Sequence, residues 1–289
     1  MTTTLITSTL AAASPTAGVA NPNKALWEKG DFTRIAATMR ESGDDLIAGL
    51  DVTSDMQVLD LGCGDGTTAL PAAQRGATVL GIDIAENLVA AGNARAKLAG
   101  LSNLRFQQGD ASDLEGVEGD RFDLVVSIFG AMFAPRPFDV AREMVRVTRR
   151  GGRIVMGNWI PGDPTLVAQI LKISAAYTPP PPEGFVSPVS WGVEANVRER
   201  FESAGISPDD ISCEPTTYYF RHSGPPSEAL DIFRHYYGPT MNAYDAATKD
   251  GRSDELHREL SALFEAQNQA GANQTIIAAT YLKVIVTKS

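Results

Sequence analysis

Residues 58–66 read VLDLGCGDG, an apolar run broken by one acid and followed by glycine at every second position, 62, 64 and 66. Without β-carbons, Gly62, Gly64 and Gly66 let a ligand approach the main chain and permit the positive φ that a sharp turn needs. The stretch predicts a buried strand ending in a tight turn that opens onto a helix.

Outward from it the same unit repeats. MQVLDLG, ATVLGID, LRFQQGD, FDLVVSIFG and GGRIVMGNW read as buried strands, and residues 67–75, 86–99 and 138–149 carry helical spacing between them. Strand and helix in alternation imply a parallel sheet covered on both faces through right-handed crossovers, a doubly wound α/β fold. After the fifth strand the pattern loosens. Residues 160–190 contain PGDP and YTPPPPEGFVSP, a stiff proline-rich excursion unsuited to a sheet interior. EANVRERFESAG reads as a helix ending at Gly205, and ISCEPTTYYF as a strand whose Pro215 suggests an edge or a bulge. Residues 223–278 hold two helical stretches, SEALDIFRHYY and DELHRELSALFEAQNQA, before the final strand TYLKVIVTKS. One domain over 25–289 is expected, with 25–50, 160–190 and 223–278 forming a cap, preceded by a flexible tail at 1–24. The tail begins MTTTLITSTLAAASPTAGVA, which lacks the positive start of a signal peptide and has Thr and Ser interrupting its apolar stretch. A cytoplasmic protein is therefore expected.

Charge narrows the partners. Thirty-five acids against 25 Lys plus Arg give a formal net charge of −10, so no broad cationic field is available for nucleic-acid phosphates. The basic cluster VRVTRRGGR, with Arg146, Arg149 and Arg150, reads as a helix end where cations suit the dipole. Two cysteines, Cys63 and Cys213, are too few for a disulfide framework or a cysteine metal site, and no metal is expected. No 18-residue apolar run suggests a membrane span.

In doubly wound sheets ligands sit beyond the carboxyl ends of the strands, beside the first one, where LGCGDG falls. Asp83 ends the second strand about twenty residues further on, where a carboxylate can accept from both ribose hydroxyls; its alternative reading is a cap for the next helix. The spacing is G-x-G-x-G rather than the dinucleotide G-x-G-x-x-G. Asp60 and Asp65 flank it, repelling a pyrophosphate and welcoming an ammonium or sulfonium. Asp110 follows the third strand, placed to accept the exocyclic amine of adenine. Three acids after three strands describe a ligand with a cationic amino-acid end, a ribose and an adenine.

VLDLGCGDG, GIDIAENL, GDASDL, FDLVVSIFGAMF and RVTRRGGRIVMGNW together resemble the class I S-adenosylmethionine-dependent methyltransferases, especially the ubiquinone and menaquinone biosynthesis branch, over residues 25–159. LWEKGDF, SPVSWGVE and FRHYYGPT resemble a bacterial subgroup of such enzymes. The resemblance implies a seven-stranded sheet of order 3-2-1-4-5-7-6 with the last strand antiparallel, and S-adenosylmethionine as cofactor with S-adenosylhomocysteine as product. It implies that Asp60, Gly62 and Gly64 hold the methionine end, Asp83 the ribose, and Asp110 with Ala111 the adenine. Ile84 would lie against the adenine face and Ser127, Ile128 and Phe129 along the methionine and sulfonium side. Cys63, Gly66, Leu88 and Gly109 complete the expected cofactor set.

A sulfonium methyl is already activated, so transfer needs alignment and exclusion of water, and a base only where the acceptor is a hydroxyl or thiol. Of the three histidines, His257 reads as a solvated helix position and His222 as a turn residue. His235 is the candidate base, with Tyr237 beside it, and a structural histidine is the alternative. Phe133, Trp159, Trp191 and Tyr236 are candidate substrate contacts, favouring a small apolar or aromatic acceptor methylated at oxygen, nitrogen or sulfur. Two other classes stay open. Acidic composition, and SIFG where a DPPY-like tetrapeptide would stand, disfavour a methyltransferase acting on RNA or protein; the acids at the turn disfavour a nucleotide-dependent oxidoreductase.

Overall fold

A computed structural model describes residues 23–289. Most of the expected tail, residues 1–22, lies outside that range, and residues 23 and 24 already belong to a helix.

Seven strands form one sheet: β1 Gln57–Leu61, β2 Thr78–Asp83, β3 Leu104–Gln108, β4 Phe122–Ile128, β5 Thr148–Trp159, β6 Ile211–His222 and β7 Thr275–Thr287. Their order is β3-β2-β1-β4-β5-β7-β6. β1 to β5 pair in parallel, and β7 runs antiparallel to both β5 and β6. Pro215, lacking an N–H, sits on the edge strand β6, where a missing donor costs least.

The helices are α1 Asn23–Glu28, α2 Phe32–Ala37, α3 Arg40–Ala48, α4 Ala69–Gln74, α5 Glu86–Leu98, α6 Pro137–Val147, α7 Leu166–Ala175, α8 Glu194–Ser203, α9 Pro226–Tyr236, α10 Gly238–Lys249 and α11 Ser253–Gln267. The central strands β1, β2 and β4 are buried on both faces, which is why they read as unbroken apolar runs. Val58, Val79, Leu124, Val126 and Val155 pack on one side with Ile47 and Ala72. Leu59, Leu80, Val125, Ile154 and Met156 pack on the other, in a core that continues through Ile170, Phe233, Leu260 and Phe264 of the cap helices. The cap is thus fused to the sheet by shared apolar burial rather than tethered to it.

Three elements differ from the sequence reading. The fifth strand begins at Thr148, so Arg149 and Arg150 lie on a strand and not at a helix end. Arg149 there pairs with Asp123 at 2.5 Å, and Arg146, on the last turn of α6, pairs with Glu143 at 2.7 Å. A third helix, α10, stands in the segment read as carrying two; its opening Gly-Pro looks like a break but is a favoured first turn, where the missing N–H of proline would be unpaired in any case. α7 lies within the excursion expected to be stiff and proline-rich, its Leu166, Val167 and Ile170 buried.

Candidate functional site

The glycine turn follows β1 and leads to α4. Gly62 has φ +68 and Gly64 φ +54, the left-handed region that glycine enters without penalty. The N–H groups of Gly62 and Cys63 both donate to Ile82 O, at 2.7 and 3.1 Å, which pins the turn against the end of β2. A Cβ on Gly62 would stand 2.6 Å from Gly130 Cα, so the turn and the loop after β4 meet backbone to backbone.

A cleft opens there, beyond the carboxyl ends of β1, β2 and β4. Of the expected cofactor residues, Gly62, Cys63, Gly64, Asp83 and Ile84 line one side of it. Leu88, Gly109, Ala111, Ile128 and Phe129 continue the lining. Asp83 serves both of its readings at once: its carboxylate accepts from Gly64 N–H at 2.8 Å and from Ala85 N–H at 2.9 Å while bordering the cleft. Burial raises its pKa above the ordinary carboxylate range.

Four expected cofactor residues stand behind the lining. Asp60, 1 % exposed, accepts from Thr68 Oγ1 at 2.5 Å, and burial lifts its carboxyl to about 7. Ser127 donates to Leu61 O at 2.6 Å and accepts from Ala131 N–H at 3.0 Å, bracing the floor. Asp110 accepts from Ser112 N–H at 2.8 Å and from Ser112 Oγ at 2.7 Å, shaping the loop whose neighbours Gly109 and Ala111 reach the cleft. Gly66 is absent from the lining because its α-carbon faces the core: a Cβ would meet Leu70 at 2.4 Å and Phe106 at 2.7 Å.

The electrostatic reading of the turn also needs correction. Asp65 is buried between two guanidinium groups, bonded to Arg40 and 3.5 Å from Arg95, so its charge is balanced within the protein. Of the other acids near the turn, Asp83 borders the cleft and Asp60 stands behind it.

Opposite the turn the wall is aromatic. Phe133, expected as a substrate contact, packs edge-on against Trp27 with centroids 4.7 Å apart, and Trp27 meets Phe32 at 5.3 Å. Trp27, Phe32, Met39 and Tyr218 border the cleft and were not singled out by sequence, although LWEKGDF marks two of them. Phe129 holds a φ of +62, strained for a bulky residue, at a cost of about 1 to 3 kcal/mol. Its ring is clamped by a parallel stack on Trp159 at 3.6 Å and by edge contacts with Tyr218 and Tyr281 at 5.1 and 5.3 Å.

The remaining expected contacts are placed elsewhere. Trp159 stands behind Phe129 and does not reach the cleft. Trp191, 1 % exposed, packs on Phe201 with the Arg200 guanidinium 4.4 Å from its ring. Tyr236 lies under Arg34, and Tyr237 is buried behind Trp27 and Phe32, its phenol kept neutral by burial. His235 is exposed, its ring bonded through Nδ1 to Asp231 O at 2.8 Å. Neither His235 nor Tyr237, the candidate base and its neighbour, is among the described residues lining the cleft. Of the three cap segments, only 25–50 contributes lining residues; 160–190 and 223–278 form the packing behind it.

Asp60 makes apo stability depend on pH. A carboxyl whose folded pKa lies near 7, above its unfolded 3.8, stabilises the folded state fully below pH 3.8 and loses that contribution as pH rises through 7. Apo protein is expected to lose stability between about pH 4 and 7 with a slope of up to about 1.4 kcal/mol per pH unit from this group. Thermal unfolding should show the loss in wild type and a flatter profile in Asp60→Asn; identical profiles would remove Asp60 as the cause.

Comparison with known proteins agrees with this geometry. A family model described as a methyltransferase domain matches residues 52–176. The chain is 34 % identical over 249 residues to an uncharacterised protein of Mycobacterium tuberculosis, covering 83 % of this chain and 88 % of that one. It is 37 % identical over 115 residues to nocamycin O-methyltransferase of Saccharothrix syringae, covering 39 % of this chain and 41 % of that one. The crystal structure of YcgJ from Bacillus subtilis superposes with a TM-score of 0.57 at 18 % identity, over 86 % of this chain and 99 % of that one. The fold, with its glycine turn at the first strand, is that of the class I methyltransferases. Residues 52–176 carry the methyltransferase domain of that class, and the protein is an S-adenosylmethionine-dependent methyltransferase.

Proposed function

We propose that the cleft binds S-adenosylmethionine beside a small, apolar or aromatic methyl acceptor. The donor set fits such a cofactor: a turn that β-carbons would obstruct, the Asp83 carboxylate at the lining with Asp60 behind it, and apolar surfaces at Ile84 and Leu88. The Gly62–Gly64 turn would hold the methionine end, with Asp60 behind it through Thr68, Asp83 the ribose, and Gly109 to Ala111 with Ile84 and Leu88 the adenine. When bound, the cofactor supplies an electrophilic methyl group on a sulfonium. The protein's own residues orient the acceptor against Trp27, Phe32 and Phe133, and exclude water.

The observation that carries the acceptor class is the aromatic wall facing the turn across one narrow cleft, with no lysine or arginine among its described lining residues. Such a wall suits an apolar or conjugated molecule and offers nothing to a phosphate backbone. The similarity to nocamycin O-methyltransferase supports transfer to a small molecule, and oxygen as the acceptor atom. The likeness to the ubiquinone and menaquinone branch rests on sequence motifs alone.

Calorimetry with S-adenosylhomocysteine and with NAD tests the cofactor reading. The first is expected to bind stoichiometrically and the second to give no measurable heat; tighter binding of NAD would overturn it.

A further inference from the structure

Four of the described residues lining the cleft can exchange a proton: Cys63, Asp65, Asp83 and Tyr218. Each is engaged. Asp65 is held by Arg40 and Arg95. Asp83 accepts two backbone N–H groups and is the expected ribose ligand. The Tyr218 hydroxyl donates its own proton to Met39 O at 3.2 Å, and burial keeps it neutral. Burial, with the charges of Asp83 and Asp60 nearby, keeps the Cys63 thiol protonated. Asp60 lies beneath Thr68 and outside the lining.

No histidine fills the gap. His222 sits 3.3 Å from Glu228, His235 bonds Asp231 O at the surface, and His257 bonds Tyr244 at 2.9 Å. Residues 1–22 carry no His, Cys, Tyr, Asp, Glu, Lys or Arg, so they bring neither a base nor a cation of their own side chains.

Resting on the cofactor reading above, we propose that the acceptor enters the cleft already ionised, as the delocalised oxygen anion of an acidic enol or phenol, and that no side chain of this protein removes its proton. An ordinary alcohol would have no base to ionise it. A saturated amine would arrive protonated and meet the same lack. A carboxylate would keep its charge on two atoms without a lysine or arginine among the described lining residues to balance it. Charge spread over a conjugated system loses less on leaving water, lies against Trp27 and Phe133, and finds its counter-charge in the sulfonium. One lone pair of the ionised oxygen forms the new C–O bond to the methyl carbon. The C–S bond breaks with its electron pair left on sulfur, giving a neutral thioether. The acceptor's proton has already gone to solvent.

The test uses the full chain, S-adenosylmethionine and four probe acceptors: 4-hydroxycoumarin, 4-nitrophenol, phenol and benzoate. The first two are expected to be methylated at pH 7. Phenol, ionised roughly one part in a thousand at that pH, should turn over at least about 100-fold more slowly. For each acceptor kcat/KM should rise with pH and level at that acceptor's own pKa. A second readout needs no turnover: 4-nitrophenol bound with sinefungin, whose amine stands in for the sulfonium, should keep its anion absorbance at pH 7. Four results would overturn the proposal: a break at one pH common to all acceptors, phenol or benzoate matching the enol, a bound nitrophenol with the neutral spectrum, or turnover of no probe. Calorimetry with S-adenosylhomocysteine separates the two readings. If that binding is retained while the probes fail, only the acceptor class falls; if it is absent, the cofactor reading falls as well.

Discussion

Gly62→Ala is expected to lower stability by about 3 kcal/mol, a drop in Tm of roughly 5 °C for a chain of this size, and to weaken S-adenosylhomocysteine binding with it. Two costs add. The residue sits at φ +68, where a side chain costs about 1 to 2 kcal/mol. Its new Cβ would stand 2.6 Å from Gly130 Cα and 2.7 Å from Gly130 C, and backbone cannot swing aside as a flexible side chain can. Relief requires the β1 turn and the β4 loop to separate, and both border the cleft. Gly100→Ala is the control. It shares a positive φ, +69, but nothing lies within 4 Å of its Cβ, so only the backbone cost of about 1 kcal/mol should appear. Equal melting shifts in the two variants would show that the contact with Gly130 contributes nothing.

Asp83→Ala is expected to weaken S-adenosylhomocysteine binding by about 1 to 3 kcal/mol, roughly fivefold to 150-fold. The substitution removes the charged acceptor offered to the ribose, and it frees the N–H groups of Gly64 and Ala85 that the carboxylate now fixes. Asp83→Asn keeps a side-chain oxygen and should fall between wild type and alanine. Calorimetry at pH 7.5 measures all three, with circular dichroism to confirm folding. Wild-type affinity in a folded Asp83→Ala chain would sink the assignment of this acid to the cofactor.

Some of what was misread was legible. Along α9 the buried residues are Ala229, Leu230 and Phe233, and Tyr237 follows on the same face, at the three- and four-residue spacing of a helix stripe. His235 lies two residues from both Phe233 and Tyr237, about 200° around the axis, which places it on the opposite, wet face. The periodicity of FRHYY by itself turns the histidine outward. Gly66 is different: the turn alone cannot distinguish a glycine that admits a ligand from one that makes room for Phe106, a residue forty positions away.

By itself the sequence determined the sheet and the turn. Unbroken apolar runs, each bounded by glycine or an acid and separated by helical spacing, leave a chain little choice but parallel strands buried on both faces. Three glycines after β1 set a backbone conformation that is almost entirely local. The tertiary structure alone decided which side chains border the cleft. Trp27 meets Phe133 across 106 positions, Asp65 is neutralised by arginines from α3 and α5, and Trp159 and Trp191 are drawn into cores instead of the cleft. The physical reason is range. Backbone geometry follows from neighbours in the chain, whereas each aromatic and each charge can be satisfied by many distant partners, and only the packed whole selects among them.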